Sequence, residues 1–172
     1  MLPFAVMTEI ETAIADNRAA VEEFVAAARK LDAAKWSAPR GEGKWSAAQI
    51  AEHLAIVYEY NRTVVKGTAA KFAPRFLQPL ARWFIVDRTL KAGRFTRNGR
   101  APKIFQPSAA PAAAPEVLTR LTTAVAGMEA DIRSGHPAGR HTVDHPLFGT
   151  LPTVDYLRLQ AIHARHHRSQ LT

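Results

Sequence analysis

Four stretches of this chain place residues of one kind at intervals of three and four, the spacing that lines a single face of an α-helix. The first carries Ile10, Ile14, Val21, Phe24 and Val25. The second carries Ile50, Leu54, Val57 and Val64, with His53 among them. The third carries Val117, Leu118, Leu121, Val125 and Met128. The fourth carries Tyr156, Leu159, Gln160, His163, His167 and Gln170. No run alternates apolar and polar residues between hairpin turn signals, so no strand pair is predicted. A chain so patterned has to bury helical faces against one another. Four principal helices with two long connections predict an all-α helical bundle.

Local signals set the helix ends. Thr8 with Glu11, and Ser46 with Gln49, have the spacing of capping boxes, and Trp45 is placed as a hydrophobic staple. The first pattern fades after Leu31 into a loop over residues 35–44 that holds Trp36, Pro39, Gly41 and Gly43. The second helix is expected to reach Lys66, where Gly67 can end it. Pro115 suits the first turn of the third, which should end near Ser134 and Gly135. The last is predicted from Thr153 to the C-terminus, after a loop rich in Pro, Gly and His.

At 172 residues the chain suits one domain, taken as residues 1–172. With 47% apolar and 22% charged residues it can bury an ordinary core. It has no cysteine, which removes disulfides, thiolate ligands and a cysteine nucleophile. The opening residues lack a basic region, so no secretory leader is expected. No apolar stretch approaches the roughly 20 residues of a membrane span. A soluble, cytoplasmic protein without a transmembrane segment is the expectation.

The net charge of +8 is local. Residues 71–103 hold nine bases (Lys71, Arg75, Arg82, Arg88, Lys91, Arg94, Arg97, Arg100 and Lys103) against one acid, Asp87. Phe72, Phe76, Leu77, Leu80, Trp83, Phe84, Leu90 and Phe95 interleave with them. Pro74 and Pro79 break the early part, so a helix is predicted from Pro79 to Lys91, followed by a Pro- and Ala-rich extended connector over residues 106–115. The expected arrangement is an inserted helix that lays its apolar face on the bundle and leaves its arginines solvated. The same residues could instead serve an acidic substrate, a nucleic acid or an anionic membrane surface. Arg82, Arg88 and Arg94 are candidates to select an anionic cosubstrate if they line a pocket mouth.

The sharpest chemical pattern lies in the last helix. His163 and His167 are four apart and present both rings to one side. With Tyr156, Leu159, Gln160 and Gln170 they fall within a sector of roughly 100°. Polar groups in that sector are expensive if left unpaired, and a cation would satisfy the histidines. His166 falls off the sector and is expected near the surface. A third ligand has to come from another helix, and His53 is the only histidine in the first three. Three neutral imidazoles suit zinc, nickel or iron(II) and leave positions open for water or substrate. Spacing alone leaves the alternative open, that these are core histidines satisfied by ordinary hydrogen bonds. His136, His141 and His145 lie in the loop before the last helix, and His145 is expected to stabilise it.

The run Gly43-Lys44-Trp45-Ser46-Ala47-Ala48-Gln49-Ile50-Ala51-Glu52-His53-Leu54 resembles the "gkWs-x-x-e-i-x-x-H-l" signature of the DinB-like superfamily. His145-Pro146-Leu147-Phe148-Gly149, followed by His163, His167 and Gln170, is similar to the "HP-x-fG … H-x-x-x-H-x-x-Q" ending of one of its subgroups. The resemblance implies an up-up-down-down four-helix bundle with a divalent metal held by three histidines, by position His53, His163 and His167. Gln170 would then support the ligand set as its second shell or as a weak outer ligand. For some relatives the resemblance implies S-transfer from a low-molecular-weight thiol such as bacillithiol or mycothiol; others are described as metal-dependent hydrolases. The basic segment departs from the smaller members by lengthening the connection between the second and third helices.

These readings lead to a metal-dependent enzyme of the DinB-like type, a thiol S-transferase or hydrolase in which a metal-activated thiol or water attacks a small electrophile. The alternatives are a non-enzymatic, stress-associated protein with a structural metal, and an anionic-surface binder that uses residues 71–103. A small-molecule substrate is expected, and no specific nucleic-acid binding. A homodimer is compatible with this reading, since helical bundles pair through exposed apolar faces, although the sequence does not specify the face.

Overall fold

In the computed structural model of the protein, residues 8–70, 74–95, 100–135 and 140–171 are described. Lys71, Phe72, Arg97 and His136 lie outside the described residues.

The four long patterns form four long helices: α1 (Glu9–Ala28), α3 (Ala47–Val65), α6 (Ala114–Gly135) and α7 (Thr153–Arg168). At the start of α1 the Thr8 hydroxyl accepts from the Glu11 N–H at 3.4 Å, while the Glu11 carboxylate reaches Arg133 of α6. At α3 the capping box is complete. Ser46 Oγ accepts from the Gln49 N–H at 3.2 Å, and Gln49 Oε1 accepts from the Ser46 N–H at 3.0 Å. A short helix, α2 (Ala33–Ser37), stands where a loop was predicted to begin. Asp32 caps it by accepting from the Lys35 N–H at 2.8 Å, and its purpose in packing is Trp36, which it buries.

The helices are joined pairwise. α1 lies along α7, and α3 lies along α6. One apolar cluster, with Phe24, Leu54, Leu121, Met128 and Leu157 at its centre, draws on all four. Two buried hydrogen bonds link the helices: Tyr58 of α3 to Asn17 of α1 and Tyr156 of α7 to Asn61 of α3, each 2.7 Å. Arg165 pairs with Asp16 across α7 and α1, and Arg120 with Glu59 across α6 and α3. Glu129, buried in α6, takes both Arg18 and Arg133. The last helix buries more than the predicted sector. Leu157, Ala161 and Ala164 are as enclosed as Tyr156 and face α1, because α7 is covered on two sides.

Between α6 and α7 the chain forms the strand pair that alternation did not predict. Strands β1 (Thr142–His145) and β2 (Gly149–Pro152) are antiparallel, with Val143 opposite Leu151 and His145 opposite Gly149. Each strand has four residues, too few for a periodic signal, and Pro152 ends the second. Gly149 turns the hairpin at φ 72°, and a Cβ there would stand 3.1 Å from Gln78 Oε1. The conformation and the contact both call for glycine.

The connection from α3 to α6 holds a 3₁₀ turn (Arg75–Leu77), α4 (Gln78–Ala81), a π-helical turn (Arg82–Asp87) and α5 (Arg88–Ala92), ended by Gly93 at φ 63°. A further 3₁₀ turn, Lys103–Phe105, precedes α6. The helical stretch is where it was predicted, but its orientation corrects the expectation. Its buried side is Gln78, Val86 and Thr89, with Leu90 half-buried beside them, while Phe76, Leu77, Leu80, Trp83, Phe84 and Ile85 point outward. The reason lies in the hairpin, which offers carbonyls to polar side chains. Gln78 donates to the Pro146 carbonyl at 3.3 Å and Arg82 to the Thr150 carbonyl at 2.9 Å. A second apolar cluster, Val64, Val86, Val143, Leu151, Tyr156 and Leu159, fastens the insertion to α3, the hairpin and α7.

Candidate metal centre

The capping box fixes where α3 begins and therefore which face His53 occupies. Its imidazole is buried, with the ring of Trp45 5.0 Å away between centroids. His53 Nδ1 lies 2.7 Å from the Phe105 carbonyl oxygen. A carbonyl only accepts, so Nδ1 carries the proton and Nε2 is left with its lone pair. Phe105 is held in turn by an edge contact with Tyr60, 5.1 Å between ring centroids.

On α7 the two histidines one turn apart meet as predicted. The Nε2 atoms of His163 and His167 are 3.0 Å apart, and His53 Nε2 is 3.3 Å from His163 Nε2. One nitrogen from each of the three rings falls within 4.8 Å of the others. His167 Nδ1 lies 2.8 Å from Gln170 Oε1, so it too is the protonated nitrogen and its Nε2 faces inward as a base. The amide nitrogen of Gln170 donates to His166 Nε2 at 3.0 Å.

This arrangement is short of positive charge. His53 and His167 each aim a lone pair at His163 Nε2, whose single N–H can satisfy only one of them. Protonating the group is opposed by its surroundings. Burial holds His53 and His163 below the ordinary histidine range, and for His163 the neighbouring imidazoles add to it. Burial, with His53 beside it, takes His167 down to about 3. The rings therefore stay neutral, the form that binds metal. Two of the three edges, 3.0 Å from His163 to His167 and 3.3 Å from His53 to His163, match the spacing of nitrogens about 2.0–2.1 Å from one zinc, which stand about 2.8–3.4 Å apart for octahedral to tetrahedral angles.

The other predicted site residues divide. Gln170 is at the cluster, joined to His167. Arg94 is exposed and lines a groove of about 320 Å³ with Phe95, Arg165 and His166. Phe95 lies edge-on to His163 and tilted over His166, 5.6 and 5.3 Å between ring centroids. Arg82 is committed to Asp87 and the Thr150 carbonyl, and Arg88 sits over Trp83 and Phe84. Neither of these two contacts the three histidines. His145 stays in its hairpin, where Nδ1 accepts from the Leu147 and Phe148 N–H groups at 3.1 and 3.3 Å. Sequence reading missed the Phe105 carbonyl, which any residue type can supply, and the part of His166. The Gln170 spacing of four from His166 was the available signal for the latter.

A family comparison covers the region that contains all of these residues. Residues 15–172 match the family described as protein of unknown function, DUF1569. The chain belongs to the DUF1569 family. His53, the Phe105 turn, the hairpin and Gln170 all fall within the DUF1569 match. No curated protein and no solved structure matches the chain.

Proposed function

We propose that the protein is a metal-dependent enzyme on an up-up-down-down four-helix bundle of the DinB-like kind. In this reading His53, His163 and His167 hold a divalent ion, zinc, nickel or iron, and the substrate is a small electrophile. The observation that carries it is the convergence of three Nε2 atoms from two helices, with the rings of His53 and His167 held by their Nδ1 partners in the tautomer that turns an Nε2 lone pair inward. Core histidines satisfied by ordinary hydrogen bonds have no need of such a face-to-face arrangement.

When bound, a divalent ion supplies Lewis acidity, which lowers the pKa of a thiol or water and makes either a nucleophile at neutral pH. The chain's own residues account for the rest. The Phe105 carbonyl and Gln170 orient the rings and raise their basicity. Trp45 and Phe95 flank the imidazoles of His53 and His163 and limit water there. Arg94 and His166, on the groove beside Phe95, are placed to meet the anionic part of a thiol cosubstrate or substrate.

The experiment is elemental analysis of protein purified without added metal, alongside His163→Ala, followed by thiol-consumption assays with a panel of electrophiles. A stoichiometric metal lost in the variant, with metal-dependent turnover, is expected. Unchanged metal content in His163→Ala would sink the three-histidine proposal. Metal without turnover across the panel would leave a structural metal in place of the enzyme.

A further inference from the structure

The connection between α3 and α6 presents its large apolar residues to solvent. Phe76 is 80% exposed, Leu80 55%, Trp83 53% and Phe84 40%. This is not loose packing, because the opposite side of the same stretch is anchored through Gln78, Arg82 and Val86. An apolar patch held outward on a fastened element marks an interaction surface. Bases surround it. Arg75, Arg88, Lys91 and Arg94 have no ion-pair partner among the described residues, and the one acid in the stretch, Asp87, is paired with Arg82. The Arg88 guanidinium lies 5.4 Å from the Trp83 ring centre and 5.8 Å from that of Phe84, so charge and aromatic surface are presented together.

We propose that this face docks on an anionic lipid bilayer, with Phe76, Leu80, Trp83 and Phe84 entering the headgroup–acyl boundary and Arg75, Arg88 and Lys91 meeting the acidic headgroups. Charge and apolarity together select this partner. Nucleic acid offers the anions but no medium for Phe76 and Leu80. A second copy of the chain offers the apolar face but brings the same unpaired bases against each other, since a two-fold interface pairs a patch with itself. An anionic bilayer satisfies both features, and an aromatic and aliphatic face edged by Arg and Lys is what lies flat in its interface. One short helical stretch gives weak, reversible attachment. The inference is independent of the histidine cluster.

The test is sedimentation of the full chain with vesicles of phosphatidylcholine alone and of phosphatidylcholine with phosphatidylserine, at about 50 and about 500 mM salt. Binding to the anionic vesicles at low salt, lost at high salt, is expected. Trp83 should be quenched by lipids brominated on the acyl chain; Trp36 is buried and Trp45 half-buried, and the quenching that disappears in Trp83→Phe is the part that belongs to Trp83. Arg88→Gln with Lys91→Gln should weaken partitioning by about 25-fold, at about fivefold per charge. Trp83→Ser with Phe84→Ser should abolish it, and both variants should keep the helical circular dichroism because the residues are exposed. No binding to anionic vesicles at low salt would overturn the proposal. So would equal binding by both variants, or a dimer in solution that the serine variant dissociates.

Discussion

Gln170 joins two histidines with one amide, and so ties a half-buried residue to the most enclosed part of the site. Its oxygen holds the proton of His167 on Nδ1. Gln170→Leu keeps the bulk and removes that acceptor, which frees the ring to turn and to take the other tautomer. Partners of this kind are worth about 10- to 100-fold in metal affinity. For the ion proposed at the three histidines, the expected result, by competition with a chromophoric chelator, is a loss in that range with the stoichiometry kept at that of the parent. Loss of stoichiometry would make Gln170 a ligand; no change would make it a bystander. At this scale the sequence disclosed the pair on α7, because a separation of four on a helix is geometry. The union of that pair with His53 was not in the spacing. It depends on how α3 and α7 approach in space, and only the family resemblance anticipated it. The Phe105 carbonyl was beyond reach altogether, since a main-chain acceptor carries no residue signature.

The long helices were legible because several local signals agreed: period, cap and breaker at each end. The Ser46–Gln49 box illustrates the energetic side. Ser46→Ala leaves the Gln49 N–H of α3 without its acceptor, and such a loss costs about 1 kcal/mol. Urea unfolding should show a lower midpoint at unchanged slope, whereas an unaltered midpoint would mean that Trp45 packing alone sets the helix start. The element most misread was the insertion. Alternating bases and aromatics suggested a helix lying apolar side down. What decides its orientation is the polar side: Gln78 and Arg82 find hairpin carbonyls, and Val86 finds Val143 and Leu151. Those partners belong to a strand pair too short to leave a periodic trace. Missing the hairpin therefore entailed missing the orientation of the insertion.

For the molecule as a whole, the hairpin is the joint where the insertion, α3 and α7 meet, and His145 is the titrating group inside it. Its Nδ1 accepts two main-chain N–H groups and its ring stacks on Phe148, 4.4 Å between centroids. Protonation at Nδ1 would turn an acceptor against two donors. Burial pushes this histidine down to about 4, with Asp144 acting weakly in the other direction. In the unfolded chain it takes its proton near the ordinary value of about 6.5. Between those values the unfolded state binds more protons than the folded one, so stability is full above pH 6.5 and falls as pH drops toward 4. The loss is on the order of 3 kcal/mol for this one group. His145→Asn retains a side-chain acceptor able to reach the same N–H groups but cannot titrate, although it forfeits the Phe148 stack. The variant should be less stable than the parent at pH 7, and the gap should close as the pH is lowered to 4. Denaturant midpoints of the two proteins across this range measure it, with a chelator present in both so that the three-histidine cluster contributes equally. Curves that stay parallel would show that the hairpin histidine does not set the acid limit of the fold.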